Sequence, residues 1–275
     1  MENELLFHGN IEKGKLKTVV VTGATGAIGK AISWQIAEKE GYMVIMVARD
    51  KSRGFEAVRE VRHRSGNPNV YCCLADLSLR GEIEILANSI SMPVDVLVNN
   101  AACTPIGREE TRDGIEKQWA TNVLSYYWMM HAFTPHLKEA GSSRIVNVAS
   151  YWAGGLDLQD PEFKNRQYDN GSAYRQSKQA DRMLSTAFAE KLKPLGIAVN
   201  SCHPGEVNSK LSNDLGFGGH ESPDKGAETP VWLATTSVGL ESTGRYFEYL
   251  KERSCMFSHD AAAVKQLYDL CESYG

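Results

Sequence analysis

The stretch that decides the fold runs from the first apolar run into the first helical pattern and reads Thr18-Val19-Val20-Val21-Thr22-Gly23-Ala24-Thr25-Gly26-Ala27-Ile28-Gly29. Thr18 to Val21 is a short β-branched run without polar alternation, as expected of a strand buried on both faces. Ala27 to Glu40 has helical spacing, with Ile28, Ile32 and Ile36 along one face. The stretch therefore predicts a strand, a glycine turn and a helix, the opening unit of a parallel α/β sheet.

The same alternation of strands and helices continues along the chain. Apolar runs predict further strands at Tyr42 to Ala48, Val70 to Leu74, Val94 to Val98, Arg144 to Ala149, Ile197 to Cys202 and Gly244 to Tyr249. Helical spacing predicts helices at Lys51 to Ser65, Leu79 to Ser91, Asp113 to Lys138, Ser172 to Lys193 and Ser258 to Glu272. The order predicts one α/β domain over residues 1–275, a single-domain Rossmann fold whose doubly wound parallel sheet carries helices on both faces.

Composition excludes several classes of protein. The chain has 275 residues, 42% of them hydrophobic, which is enough for a folded core. Its 30 basic and 34 acidic residues are well mixed, which argues against nucleic acid as a partner. No apolar run reaches roughly 18 residues, and the start up to Lys17 has no signal core, so we expect no membrane span and a cytoplasmic protein. The six cysteines form no C-x-x-C pair, which predicts reduced thiols and no metal site.

The glycine turn is the first candidate ligand site. At the start of a helix, such a turn lets the backbone approach a pyrophosphate, and the helix offers free N–H groups and a positive dipole. Any strand-to-helix turn can use glycine, so the position directly after the first buried strand is what favours a dinucleotide site. The residues expected to hold the cofactor here are Gly23, Thr25, Gly26, Ala27 and Ile28.

Arg49 ends the second predicted strand, 20 positions after Gly29. An acidic residue at about that distance binds the ribose 2′-hydroxyl in dinucleotide folds, whereas an arginine accommodates a 2′-phosphate. Asp50 follows directly, but a side chain one position on should point elsewhere. Arg49 therefore favours NADP as the cofactor, with a merely solvated arginine as the alternative.

Tyr174 and Lys178 are four residues apart on a predicted helix, so they share a face. Free tyrosine has a pKa near ~10, too high for a base at neutral pH, and a neighbouring cation lowers it. Ser150, at the end of a predicted strand, adds a hydroxyl that can hold a substrate carbonyl. The Tyr-Lys spacing is common on ordinary helices, and it indicates an acid/base site here because it accompanies a dinucleotide turn.

In order and spacing, these motifs together resemble those of the short-chain dehydrogenase/reductase family over nearly the whole chain. The matching segments are residues 22–29, Ala48-Arg49-Asp50, Asp76-Leu77-Ser78, Asn99-Asn100-Ala101-Ala102, Asn122, Ser150, Tyr174 to Lys178 and Pro204-Gly205. The resemblance implies an oxidoreductase that transfers a hydride between NADP(H) and a carbonyl or alcohol substrate. It also implies a Ser-Tyr-Lys-Asn mechanism, with a homodimer or homotetramer left open.

The resemblance further implies a role for individual residues. Asp76 would contact the adenine edge, and Asn99 to Ala101 would line the cofactor beneath the central strand. Asn122 would steady a water in a proton relay with Lys178, which would also hold the nicotinamide ribose together with Tyr174. The implied cofactor-binding residues are completed by Leu77, Pro204, Gly205 and Val207.

Within the family, the sequence is most similar to the retinol-dehydrogenase-like branch. The signs are Ala48-Arg49-Asp50, the long stretch from Ser150 to Tyr174, and Gly226-Ala227-Glu228-Thr229-Pro230 followed by Gly244-Arg245-Tyr246-Phe247. That branch mostly acts on lipophilic alcohols and aldehydes, so the resemblance implies a lipophilic substrate. Ala27 stands where the usual catalytic subtype has glycine, and its methyl group is small enough that we expect binding to survive. The resulting glycine spacing also resembles the extended subtype, which leaves a sugar-nucleotide enzyme as a further alternative.

Two segments are expected to enclose the substrate, Tyr151 to Gly171 and a lid at about residues 206–228. Apolar side chains among glycines, such as Leu215 and Phe217, fit a lid over a hydrophobic carbonyl, although they could also only cover the sheet. His203 could reach the same site or be structural. The rival from another class is a non-catalytic NADP-binding redox sensor or regulator, which would have no need of Tyr174 with Lys178.

Overall fold

A computed structural model describes residues 5–7 and 16–275 of the chain. The strands in this part are β1 (Lys17–Val21), β2 (Tyr42–Ala48), β3 (Val70–Leu74), β4 (Val96–Asn99), β5 (Ser143–Val148), β6 (Ile197–His203), β7 (Tyr246–Glu248) and β8 (Lys251–Arg253). They form an eight-stranded sheet in the order β3-β2-β1-β4-β5-β6-β7-β8. Neighbouring strands from β3 to β7 are parallel, and β8 pairs with β7 in the antiparallel direction.

Helices cover both faces of this sheet. They are α1 (Ala27–Ala37), α2 (Lys51–Ser65), α3 (Arg80–Ser89), α4 (Ser125–Glu139), α5 (Asn170–Leu192), α6 (Lys210–Asp214), α7 (Pro223–Thr235), α8 (Val238–Glu241) and α9 (Ala261–Glu272). One apolar layer joins the sheet to α1, α2 and α7, and the other joins it to α3, α4, α5 and α9. The predicted α/β fold, a doubly wound parallel sheet with helices on both faces, is confirmed.

Local chemistry explains why β2, α2 and β3 have the bounds that the sequence predicts. All seven residues of β2 are buried, as a central strand between two helical layers requires. The Asp50 carboxylate accepts the backbone N–H of Arg53 and so caps α2 at its start. Gly66 ends the helix in the left-handed region with φ 68°, a conformation that glycine adopts without strain.

The predicted helix from Asp113 to Lys138 is wrong over its first residues. Gly114 has φ 75°, and the Glu116 carboxylate accepts the N–H groups of Gln118 and Trp119 at 2.8 and 2.7 Å. The first N–H groups of a helix have no partner within it, and here the Glu116 carboxylate accepts them, so the helix begins after Glu116. A π-helical turn at Trp119–Leu124 then precedes α4.

The strand order places the functional cleft. From β1 the successive strands are added outward in both directions, so β1 and β4 are neighbours whose crossovers leave towards opposite sides. In such sheets the crevice beyond the carboxyl ends of these two strands is the place where ligands bind. The carboxyl ends of β5 and β6 continue the same edge.

Three expectations concern absences. No helix in residues 5–7 and 16–275 is long and apolar enough to cross a membrane. The expectation that no signal segment precedes Lys17 falls mostly on residues outside the described part. All six cysteines are free, and no group of three or more metal-ligating side chains occurs among the described residues.

Candidate active site

The turn between β1 and α1 is shaped by close backbone contacts. Gly23 has φ +61°, and a Cβ there would lie 2.7 Å from Ala101 Cα. A Cβ at Gly29 would collide with the carbonyl oxygen of Gly23 and lie 2.6 Å from Asn100 Nδ2. Gly26 is exposed and begins α1 without a side-chain cap, so within residues 5–7 and 16–275 no capping side chain takes up the first N–H groups of the helix. Backbone donors at an uncovered helix start fit a phosphate.

Thr22 and Asn100 join this turn to β4. Asn100 is among the residues expected to line the cofactor, whereas the motifs assigned Thr22 no separate role. The backbone N–H groups of Asn100 and Ala101 donate to Thr22 Oγ1 at 2.8 and 3.1 Å, and Asn100 Nδ2 donates to the Thr22 carbonyl at 2.9 Å. Asn99 instead faces the core, where its Nδ2 donates to Asn147 Oδ1 at 2.9 Å. A hydroxyl and an amide at the ends of adjacent strands were the signal available in the sequence.

Arg49 lies exposed at the carboxyl end of β2. Its neighbour Asp50 is engaged in capping α2, with the Arg53 N–H at 2.8 Å from Asp50 Oδ1. Arg49 is therefore the charged residue left at the strand end. A depression of about 320 Å³ on the following helix, α2, is lined by Lys51, Ser52, Phe55 and Arg59.

Other residues predicted to bind the cofactor follow the same edge of the sheet. Asp76 follows β3, and its Oδ1 accepts the N–H and the hydroxyl of Ser78 at 3.1 and 2.7 Å. Leu77 beside it is buried. Thr25 and Ala27 are half-buried in the glycine turn. The carboxylate of Asp76 is thus held by its own loop.

Ser150, Tyr174 and Lys178 lie together below the cleft, at 6%, 7% and 2% exposure. Ser150 Oγ accepts the Trp152 N–H at 3.0 Å, and Lys178 Nζ lies 5.8 Å from the centroid of the Tyr174 ring. Burial raises the pKa of Tyr174 above its usual value, although the Lys178 charge and the hydrogen bond with Ser150 lower it. At neutral pH this phenol is protonated and can act as an acid.

Lys178 forms a buried ion pair that the sequence analysis missed. Its Nζ donates to Asp181 Oδ2 at 2.8 Å and to the Val148 carbonyl at 3.2 Å. Burial disfavours the ammonium, but Asp181, Tyr126 and Tyr174 raise the pKa of Lys178 above its usual value, so it stays a cation. The i,i+3 spacing of Lys178 and Asp181 was the sequence signal.

Asn122 lies in the π-helical turn before α4 and is fully buried. Its Oδ1 accepts the Cys103 N–H at 2.9 Å, and its Nδ2 donates to the Cys103 carbonyl at 3.1 Å and to Ser177 Oγ at 3.3 Å. Asn122 therefore links the segment after β4 to α5, one residue before Lys178. π-Helical turns occur frequently at functional sites.

A cavity of about 400 Å³ opens over Ser150 and Tyr174. The Trp152 ring lies 6.0 Å from that of Tyr174 and 5.7 Å from that of Phe217, measured between centroids. Further residues in the walls are Ile28, Pro204, Gly205, Val207, Leu211 and Leu215. The walls are mainly apolar, with Glu206, Ser209 and Ser212 as polar members. A hydroxyl and a phenol among them suit a carbonyl oxygen on an apolar body.

The predicted lid covers this cavity only in its first part. A bridge between Val207 and Glu221 and the bond from the Glu206 N–H to Glu221 Oε2 at 2.7 Å close the segment into a loop. Residues from Pro223 onward form α7, which packs against α1 because its buried face is apolar. In the other predicted segment, Leu156 and Leu158 pack against the core and do not line the cavity.

His203 ends β6 in the wall of the same cavity. Its ring lies edge-on to Tyr151, 4.6 Å between centroids, and neither ring nitrogen has a hydrogen-bond partner among the described residues. Burial and the nearby Arg182 lower the pKa of His203 to about 4. The imidazole is therefore neutral at physiological pH.

Comparison with known proteins gives a matching family model, a curated relative and two solved structures. A family model described as short chain dehydrogenase matches residues 17–216. Retinol dehydrogenase 13 of Mus musculus is 31% identical over 258 residues, which cover 86% of this chain and 77% of that protein. The crystal structure of an uncharacterised protein from Mycobacterium Paratuberculosis superposes with a TM-score of 0.79 at 25% identity, covering 99% of this chain and 96% of the other. L-Sorbose reductase from Gluconobacter frateurii, solved with NADPH and L-sorbose, shares the fold at 22% identity and a TM-score of 0.66, covering 88% and 97%.

Proposed function

Because the chain belongs to the short chain dehydrogenase family, in its retinol-dehydrogenase-like branch, we propose that it is an NADP(H)-dependent oxidoreductase of lipophilic carbonyls and alcohols. Membership of the family makes it an oxidoreductase with a nicotinamide dinucleotide cofactor. The observation that carries the finer proposal is the buried group of Ser150, Tyr174 and Lys178, of which Ser150 and Tyr174 line a mainly apolar cavity.

The described residues fit a nicotinamide dinucleotide. A Cβ at Gly23 would collide with the backbone of Ala101, so the turn keeps its tight shape only with glycine there. The free N–H groups at the start of α1 suit the pyrophosphate. Lys178 supplies a donor for the ribose hydroxyls. When bound, the cofactor gives or takes the hydride.

Side chains of this protein perform the proton chemistry. Ser150 Oγ and the Tyr174 phenol hold the substrate oxygen. In reduction, Tyr174 gives its proton to that oxygen as the hydride reaches the carbon, and in oxidation it takes the proton back. Lys178 stays charged throughout and stabilises the phenolate that reduction leaves. Positioned proton transfer of this kind contributes roughly 10²–10⁴-fold to a rate.

The preference for NADP rests on charge at the end of β2. Arg49 is exposed there, while the Asp50 carboxylate is taken up by the start of α2. A free carboxylate at this position would repel a 2′-phosphate, and an arginine pairs with it. Lys51 and Arg59, which line a depression on the following helix α2, add positive charge.

The preference for a lipophilic substrate rests on the cavity. Its volume of about 400 Å³ lies in the range of sites for medium-sized ligands. Trp152, Leu211, Leu215 and Phe217 contribute apolar walls. Retinol dehydrogenase 13, a relative of this chain, is named for a long apolar alcohol, so retinoids belong among the substrates to test.

The experiment has two steps. Binding of NADPH and NADH is titrated first by nicotinamide fluorescence, and we expect NADPH to bind at least about tenfold more tightly, as one phosphate–arginine pair can provide. Short, aromatic, long-chain and retinoid aldehydes, with ketones, are then followed by nicotinamide absorbance. NADPH consumption with the bulkier aldehydes supports the proposal. Tight NADPH binding without turnover of any compound would refute the enzymatic function.

A further inference from the structure

Asp181 is a fully buried carboxylate beside the proposed catalytic lysine. It lies on α5 at 0% exposure, and one of its oxygens, Oδ1, has no hydrogen-bond partner among the described residues. Its other oxygen accepts from Lys178 Nζ at 2.8 Å. Burying an ion pair costs several kcal/mol per ion in desolvation, so stability alone is a poor reason to place one here.

We propose that Asp181 is a positioning residue, which holds the Lys178 ammonium in place and by its negative charge keeps the Tyr174 phenol protonated, biasing the site towards carbonyl reduction. This inference rests on the function proposed above, since the bias concerns that reaction. It adds a residue that acts through Lys178 and Tyr174 without touching the substrate.

The geometry of the ammonium supports the positioning role. An ammonium has three N–H groups, and Lys178 uses two of them on Asp181 Oδ2 and the Val148 carbonyl. These two anchors, on α5 itself and at the end of β5, fix Nζ between the helix and the sheet. The third N–H is shared between the Tyr126 hydroxyl, which also forms a hydrogen bond with Lys178, and Tyr174 or a ribose hydroxyl.

The surroundings show why the charge of Asp181 matters to Tyr174. The titratable groups that face the pair are Tyr126 from α4, Cys202 from β6, Cys271 from α9 and Tyr174 from α5. The other nearby cation, Arg182, is directed to Tyr246 and Glu248 on β7.

Lys178 lowers the pKa of Tyr174, and Asp181 raises it. In a buried site these charges act with little screening. Removing the negative charge therefore lowers the pKa of the phenol, so phenolate forms at lower pH. Phenolate is the base that oxidation needs, whereas phenol is the acid that reduction needs.

The test uses Asp181→Asn, which keeps an oxygen for Lys178 and removes the charge, with Glu190→Gln as control. Glu190 is an exposed acid on the same helix. We measure kcat/KM for alcohol oxidation and carbonyl reduction against pH at saturating cofactor. Burial raises the pKa of Asp181 to about 7, although Lys178 lowers it, so the comparison is made at pH 8, where the wild-type carboxylate is charged. In Asp181→Asn, kcat/KM for oxidation at pH 8, relative to its own alkaline plateau, should rise about tenfold, as a one-unit change in the pKa of Tyr174 produces. Reduction should begin to decline at a lower pH than in the wild type. An unchanged profile in a folded variant, or the same change in Glu190→Gln, would overturn the inference.

A second readout does not depend on turnover. The ultraviolet absorbance of phenolate, titrated in each protein and in its Tyr174→Phe derivative, isolates the ionisation of Tyr174. We expect Tyr174 to ionise at lower pH in Asp181→Asn than in the wild type. Ionisation at the same pH in both proteins would contradict the proposal. If Asp181→Asn does not fold, the wild type decides: Tyr174 phenolate below about pH 8, well under the ordinary tyrosine range, would refute the role. If the wild type turns over no carbonyl, the proposed function fails, but this titration still tests Asp181.

Discussion

The cofactor side of the cleft, at the turn after β1, is shaped by backbone, whereas the substrate side, beyond β5 and β6, is shaped by side chains. At Gly29 the nearest obstacle to a Cβ is the carbonyl of Gly23, and that carbonyl cannot move without moving the turn. Over the cavity, Trp152 meets Phe217, which is half exposed. Where the backbone itself forms the surface, few residue types fit, whereas exposed side chains can be replaced with little effect on the fold.

This contrast has a consequence for substitutions. Changes on the cofactor side should reduce stability or cofactor binding for every substrate alike. Changes on the substrate side should alter which substrate is preferred and leave the fold intact. Tyr174 lies between the two sides and should affect only the chemical step.

The largest effect is expected for Tyr174→Phe. The phenyl ring retains the packing against Trp152 and loses the transferable proton, so turnover should fall by roughly 10²–10⁴-fold with NADPH affinity nearly unchanged. Steady-state rates and fluorescence titration measure the two quantities. A variant that keeps more than about a tenth of the wild-type rate would exclude Tyr174 as the main acid/base.

Gly29→Ala tests the backbone side. Its methyl group would overlap the Gly23 carbonyl, so the turn must open, and we expect a loss of about 1–3 kcal/mol in the free energy of unfolding together with weaker cofactor binding. The control is Gly81→Ala in α3, where a Cβ meets nothing within 4 Å. Denaturant unfolding compares the two, and equal stability of both variants would break the comparison.

Arg49→Asp tests the charge at the end of β2. It removes a partner of the 2′-phosphate and adds repulsion, so the ratio of NADPH to NADH affinity should fall by about 100-fold, the sum of two effects of roughly 1–2 kcal/mol each. Thermal stability should stay unchanged, since Arg49 is exposed. A wild type that binds NADH at least as tightly as NADPH would show that the role assigned to Arg49 is wrong.

The smallest effect is expected on the substrate side, from replacing Leu215 and Phe217 together with serine. Both line the cavity, and loss of apolar contact should reduce kcat/KM for a long or aromatic aldehyde by about tenfold. A short aldehyde, which reaches only Ser150 and Tyr174, serves as the control. Equal losses for both substrates would mean that these side chains only cover the sheet.

The same contrast explains how much could be predicted from the sequence. Strands such as β2 and β3 lie between two helical layers, so their residues form apolar runs with clear ends, and Asp50 and Gly66 mark the ends of α2. Strand β8 escaped prediction because Lys251–Arg253 is exposed and polar. Nothing in its pattern distinguishes it from a loop, since only pairing with β7 defines it.

In the site, the sequence is most informative where a position requires one residue type. The glycine turn and the Tyr174–Lys178 spacing are of this kind. The loop closed by Val207 and Glu221 depends on a long-range bridge, and the core position of Asn99 depends on Asn147 across the neighbouring strand. Long-range contacts of this kind leave no pattern among residues that are close in sequence, so neither the closed loop nor the core position of Asn99 could be predicted.

The central claim is that this chain transfers a hydride, and labelled cofactor tests it most directly. NADPH carrying deuterium on the transferred position of its nicotinamide ring is incubated with the wild-type protein and the best bulky aldehyde, and the alcohol is analysed by mass spectrometry. We expect one deuterium on the carbinol carbon of each product molecule, with none formed by Tyr174→Phe above a small residual rate. If NADPH binds to saturation and keeps its deuterium with every aldehyde and ketone tested, the chain is an NADP-binding sensor or regulator and the account is wrong.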